Sequence, residues 1–325
     1  MSIETSESGE AAAGAGRGAR GAEWRRSRCP VMRLWRSLDV RERGRVRASV
    51  RAGFTIIELL VVIVVIALIV SIMLPAMSNA KKVARQSREL STARQLMVAY
   101  SAYANDYNGN VMPGYASAAM AAKLRLVDQS GQPIQQQVVR RYPWRILSYL
   151  GFQFEGMYDD ETVLSRYRGQ SNFTYVVSLS PSLGVNADFV GGKSDPGYAF
   201  NANALRQWGR WYVTRIDEVR RTSQLIAFAS ARGYDDNNLV VPGFHMVDAP
   251  AFTTQRWSDS AWQGDTMPED FGHVDLRWSA NGLPRAVTAH LDGHAQTLGL
   301  AELRDMRWWA NRAETPDYVV GATGK

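Results

Sequence analysis

The stretch Arg51-Ala52-Gly53-Phe54-Thr55-Ile56-Ile57-Glu58-Leu59-Leu60 decides how this chain is read. It closes a basic segment with a glycine and opens an apolar run. From Phe54 to Met73 there are twenty residues, and Glu58 is the only charge among them. A helix of that length and composition can cross a bilayer. A single carboxylate inside such a run is costly, which makes Glu58 a functional candidate. Pro75 lies just beyond the run.

Upstream, residues 1–53 hold twelve Arg against six Asp and Glu, so nearly all of the chain's formal charge of +7 belongs there. The remainder is close to neutral, which removes the main support for nucleic-acid binding. Residues 1–23 are rich in Gly, Ala, Ser and Glu and carry too little apolar surface to fold. The segment reads as a basic, disordered leader, and a start at Met32 would shorten it. The single cysteine, Cys29, lies within it, so a product beginning at Phe54 has no thiol. That suits an exported protein folding without disulfides. An ordinary secretory signal has a shorter apolar core and a small-residue cleavage site, whereas this run is long enough to stay in the membrane. Arg41, Arg43, Arg45, Arg47 and Arg51 precede the run, and Lys81, Lys82, Arg85, Arg88 and Arg94 follow it. The larger count in the leader favours a cytoplasmic N-terminus.

Downstream, Leu90, Ala93, Met97 and Tyr100 recur at helical spacing, with Leu96 and Tyr103 widening the stripe. Asp106-Tyr-Asn-Gly109 and then Pro113 end the pattern. One helix is expected from about 54 to about 105, bent or loosened near Pro75 and roughly 75 Å long. Beyond it, short runs rich in β-branched and aromatic residues predict strands at 174–179, 211–216, 224–230 and 239–244. Helical patterns occur at 140–150 and 300–310. Ala286–Leu291 and His294–Leu298 flank Asp292-Gly293, a strong two-residue hairpin signal. The fold class expected is α+β: a long N-terminal transmembrane helix whose C-terminal half packs on a globular head with an antiparallel sheet. Its parts are a leader (1–53), a membrane segment (54–76), a soluble continuation of the helix (77–106) and the head (107–325).

The head carries little chemistry. With Asp292-Gly293 as a two-residue loop, Leu291 and His294 pair on one face and His290 points to the other, beside Ala295. One metal ion then cannot hold both imidazoles, and His273 with either is too few ligands for zinc. Asp235-Asp-Asn-Asn238 reads as a polar turn, since it lacks the spacing of a calcium loop. No nucleophile motif, phosphate loop or carboxylate pair is present, so neither catalysis nor a cofactor or metal is expected. Of the eight tryptophans after Gly53, most are expected in the core. A row of exposed ones would instead suit a glycan- or substrate-binding head.

The residues Gly53, Phe54, Thr55 and Glu58 with the Leu/Val/Ile run and Pro75 resemble the type IV prepilin processing site, shared with type II secretion pseudopilins. The resemblance implies cleavage after Gly53 by a prepilin peptidase and methylation of the new N-terminal Phe54. It implies a bend at Pro75. It also implies that Glu58 pairs with the N-terminus of a neighbouring subunit and so sets register in a pilus or pseudopilus. The physics agrees, because a buried charge is tolerable when paired. A competing reading is a carboxylate that snorkels to the interface. Arg94-Gln-Leu, Tyr103-Ala-Asn-Asp106, Tyr142-Pro-Trp144, Tyr149-Leu-Gly151, His273 and Leu291-Asp292-Gly293-His294 resemble a pseudopilin-like subgroup with a C-terminal His…Asp-Gly element. Eighteen residues separate His273 from Asp292, a longer interval than is usual in that subgroup. The expectation is a non-enzymatic pilin-like subunit of a type II secretion or type IV pilus-like system, anchored in the inner membrane with its head in the periplasm. Its expected partners are the prepilin peptidase, other pilin-like subunits and the membrane, and not nucleic acid. The alternative is a membrane-tethered periplasmic binding protein with a Trp-rich head.

Overall fold

The computed structural model describes residues 53–128, 130–158, 161–194, 201–234, 240–257, 271–278 and 284–321. The leader up to Ala52 with Cys29, the turn Asp235–Asn238 and Trp262 lie outside the described residues. The apolar run forms the first part of a 51-residue helix, α1 (Ile56–Asp106). Every residue from Gly53 to Arg85 is exposed. Helical backbone continues through Pro75, where the missing N–H removes one in-helix bond to the Ser71 carbonyl. Asn108 and Gly109, both at positive φ, close the helix, with the Gly109 N–H donating to the Ala104 carbonyl at 2.7 Å. Asn and Gly tolerate that left-handed backbone, as the sequence of the turn requires.

The C-terminal part of α1 buries the predicted stripe: Ala93, Leu96, Met97, Tyr100 and Tyr103. It faces a six-stranded sheet built from β1 (Leu183–Asn186), β2 (Ile226–Ser230), β5 (Met246–Val247), β6 (Arg277–Trp278), β7 (Pro284–His290) and β8 (Ala295–Gly299). The order is β5-β1-β2-β7-β6, with β8 on the other edge of β7. β3 (Arg232–Tyr234) and β4 (Val240–Pro242) form a separate antiparallel pair. The fold is α+β as expected, but the sheet is mixed and not purely antiparallel, because β1 and β5 run parallel. Fifty-nine residues separate β1 from β5 in the sequence, enough chain for the crossover a parallel pair needs.

The sheet is covered on both faces. Along β7, Val287 and Ala289 join the α1 cluster, while Ala286 joins the cluster on the other face, the alternation that a strand imposes. An irregularity in β2 between Ile226 and Phe228 re-aims the chain. Phe228 then meets Tyr100 and Tyr142 edge-on at 5.4 and 5.2 Å. The second cluster gathers Phe189, Trp211, Trp257, Phe271 and Trp309.

Four expected elements differ. Thr174–Leu179 lies in a helix, Phe173–Leu179, and not a strand. Phe173 and Val177 stand at i and i+4 against the α1 cluster, so the packing period overrides the β-branched composition. The stretch 211–216 is irregular and is held by single bridges from Val213 and Arg215. The helical patterns at 140–150 and 300–310 are each broken into a short α-helix and a 3-10 turn.

Candidate functional site

The start of α1 has a geometry of its own. Gly53, Phe54 and Thr55 precede the helix and are exposed, and a Cβ built on Gly53 would meet nothing within 4 Å. Thr55 is the N-cap. Its backbone N–H and its hydroxyl both donate to Glu58 Oε2 at 2.8 Å, and the Glu58 N–H donates to Thr55 Oγ1 at 3.2 Å. This is a capping box, in which Thr and Glu satisfy each other's helix-end groups. The spacing Thr-x-x-Glu ahead of an apolar run signals it in the sequence, a signal that attention to the charge alone passes over. Two consequences follow for chemistry. The Gly53–Phe54 bond lies outside the helix, open to a protease. Both bonds to the acid use Oε2, so Oε1 accepts none among the described residues.

The hairpin tip corrects the sequence-based geometry. His290 and His294 face each other across a three-residue loop, Leu291–Gly293: the His290 N–H donates to the His294 carbonyl at 3.0 Å, and Gly293, at φ 93°, donates back to His290 O at 2.9 Å. The loop takes in Leu291 because its N–H bonds the Leu225 carbonyl at 3.2 Å while its side chain joins the α1 cluster. A glycine in the left-handed region at the end of a three-residue loop is a common alternative to the two-residue turn. The two imidazoles therefore share a face. Their rings stack at 4.3 Å with only 3° between planes.

That proximity does not make a metal centre. His290 is fully buried, with Nδ1 donating to the Gln224 carbonyl at 3.0 Å and Nε2 accepting from Thr288 Oγ1 at 3.0 Å and Gln296 Nε2 at 3.2 Å. Burial, and then His294, push its pKa down to about 4, so the ring is neutral with both nitrogens engaged. His294 is half-exposed and bonds Asp292 Oδ1 through Nδ1 at 2.6 Å. His273 has different neighbours. It follows Gly272 in a turn with both residues at positive φ, bonds the Arg232 carbonyl through Nδ1 at 3.2 Å and stacks on Phe244 at 4.1 Å. The structure thus brings Asp292, Gly293 and His294 together, and His273 is tied to other elements. Among the described residues no group of three or more His, Cys, Asp or Glu is placed to hold a metal.

Charges that the sequence did not flag are buried deeper in the head. Lys193 Nζ lies 2.7 Å from Asp188 Oδ1 and 3.0 Å from Asp248 Oδ1, and Arg256 Nη1 reaches Asp188 Oδ2 at 2.5 Å. Arg145 is buried and sends Nη2 to the carbonyls of Pro113, Gly114 and Arg140. Burial pulls its pKa to about 10, so the guanidinium keeps its charge at neutral pH. Asn186, buried at the end of β1, donates to the carbonyls of Ile226 and Trp309 at 3.0 and 2.9 Å. Each of these groups ties together segments distant in the sequence. A cleft of about 450 Å³ is lined mainly by Leu124, Leu126, Val127, Pro133, Ile134 and Val139, with no acid or nucleophile in its wall.

Tryptophans 144, 211, 257 and 309 are buried, and 208 and 308 are half-buried. Among the described residues no exposed row of tryptophans is present. Comparison with family models, with curated proteins and with solved structures gave no match.

Proposed function

We propose that this chain is a pilin-like structural subunit, cut after Gly53, methylated at Phe54 and assembled through α1. The observation that carries the reading is the helix start. An open Gly53–Phe54 bond, a cap at Thr55 and a lone acid at Glu58 precede some thirty helical residues on which the fold places no cover. Exposed apolar surface of that extent needs lipid or other helices around it. The 51-residue helix is long and apolar enough to cross a membrane at its front. In this reading the span is Phe54–Ala76, the N-terminus is cytoplasmic before cleavage and the head is periplasmic. After cleavage, Glu58 Oε1 is the acceptor available to the Phe54 ammonium of a neighbouring subunit. Pro75, lacking an N–H, marks where the helix bends in a filament.

The head in this reading packs and displays; it does not catalyse. His290 with both nitrogens bonded, and Asp292 held by His294, support a turn-stabilising part for the His…Asp-Gly element. The buried tryptophans favour this reading over a Trp-lined binding head. Coexpression with a prepilin peptidase tests it: the chain shortens by the leader, and Gly53→Leu leaves it at full length. A wild-type chain left uncut by an active peptidase contradicts the proposal.

A further inference from the structure

Directly after the apolar run, residues 77–94 carry five cations, Lys81, Lys82, Arg85, Arg88 and Arg94, against one acid, Glu89. All five cations are exposed, whereas Glu89 is buried. Lys81, Arg85 and Arg88 stand at i, i+4 and i+7, which puts them on one face of α1, with Lys82 beside them. At 1.5 Å per residue Lys81 lies about 7.5 Å past Ala76, Arg85 about 13 Å and Arg94 about 27 Å. The polar headgroup layer on each side of a bilayer is about 5–7 Å deep. Lys81 and Lys82 therefore meet the outer edge of that layer, and long basic side chains reach back toward it. Arg94 stands well beyond a Debye length, about 10 Å.

We propose that Lys81 and Lys82, backed by Arg85, bind the anionic phosphate headgroups of the leaflet from which α1 emerges, and so fix how deep the helix sits. The occupant is a phospholipid because these cations are continuous with the apolar span and lie at the depth of the phosphates. The inference rests on the reading that Phe54–Ala76 spans the bilayer.

The test reconstitutes the full chain in phosphatidylcholine vesicles doped with phosphatidylglycerol. Spin-labelled lipids report the ratio of phosphatidylglycerol to phosphatidylcholine held in the protein's lipid shell. The leader's arginines also attract anionic lipid, so the comparison is between variants that share the leader. At an ionic strength of about 0.1 M, Lys81→Gln with Lys82→Gln is expected to lower that ratio about fivefold or more. Restoring charge as Lys81→Arg with Lys82→Arg returns it, and Arg94→Gln leaves it unchanged. An unchanged ratio in the double Gln variant, or an equal fall with Arg94→Gln, overturns the proposal. So does an unchanged ratio accompanied by lost crosslinking between copies, which would assign the cations to a second subunit. Flotation separates the two levels: a chain that does not rise with the vesicles removes the membrane anchor itself, and this inference with it.

Discussion

Thr55 and Glu58 exchange three hydrogen bonds across the first turn of α1, two of them converging on a single carboxylate oxygen. The pair starts the helix at Ile56, keeps Gly53–Phe54 outside it and leaves Glu58 Oε1 for a second bond. In the proposed subunit one acid caps its own helix and also pairs with a neighbour's N-terminus. The two parts are separable by mutation.

Glu58→Ala should leave cleavage and head folding intact while impairing incorporation into filaments. Glu58→Gln keeps an acceptor for Thr55 and loses the charge. It is therefore expected to preserve the helix start and still impair assembly, a difference read by pelleting of filaments beside circular dichroism. Normal incorporation of both variants would remove the role given to the acid. Thr55→Val is expected to fray the first turn at a cost of about 1 kcal/mol, seen as faster amide exchange near Ile56.

Within the head, Lys193 is the member of its network that neutralises two carboxylates. Lys193→Met would leave the buried Asp188 and the part-buried Asp248 with Arg256 alone, and the head should lose about 3–5 kcal/mol in denaturant unfolding. The exposed pair Arg215–Asp217 supplies the contrast. Asp217→Asn is expected to leave the unfolding midpoint almost unchanged, because solvent screens an exposed pair. Equal losses in both variants would contradict the assignment of burial as the deciding factor.

His290 gives the head a pH dependence of known sign. A histidine in the unfolded chain titrates near 6.5, and burial holds His290 near 4 in the fold. Between those values the unfolded chain binds a proton that the folded chain does not. The stability is fully present above pH 6.5, declines as pH falls and is lost below pH 4, by about 3 kcal/mol in all. His245, also buried and pushed down to about 3, acts in the same direction. His290→Gln should make the fall of the unfolding midpoint between pH 6.5 and 4 shallower without abolishing it. An unchanged slope would show that His290 is not held neutral.

Gly293 tests whether the Asp-Gly element is a turn. A Cβ there meets no atom within 4 Å, but φ is 93°. Gly293→Ala is therefore expected to destabilise the head by about 1 kcal/mol or somewhat more, through backbone strain alone. Gly293→Asn should lose less, since Asn tolerates positive φ better than Ala. Denaturant midpoints of the two variants check the order.

Periodicity made the long helix legible: the stripe from Leu90 to Tyr103 is the face that packs on the head. The strands β2, β7 and β8 were also readable, because alternating apolar positions and a turn signal delimit them. The segment 174–179 was not, since its Val, Thr and Tyr residues favour a strand by composition while Phe173 and Val177 pack at a helical interval. The hairpin loop is one residue longer than the turn signal implies because the Leu291 N–H bonds the carbonyl of Leu225, just ahead of β2. That contact has no local signature. The same holds for Lys193 and Asp248, whose partnership spans 55 positions. At the candidate site, the lone charge of Glu58 in the apolar run is visible in the sequence, while the parts proposed for Gly53 and Phe54 rest on the resemblance to prepilins. The cap joining Thr55 to Glu58 was equally local and needed only the four-residue spacing to be read.

The central claim is tested most directly by N-terminal sequencing and mass measurement of the native protein, with and without the prepilin peptidase. The account predicts a chain beginning at N-methylated Phe54 when the peptidase is present and an uncut leader when it is absent. A native chain that keeps its leader, or that begins far from Phe54, would contradict it.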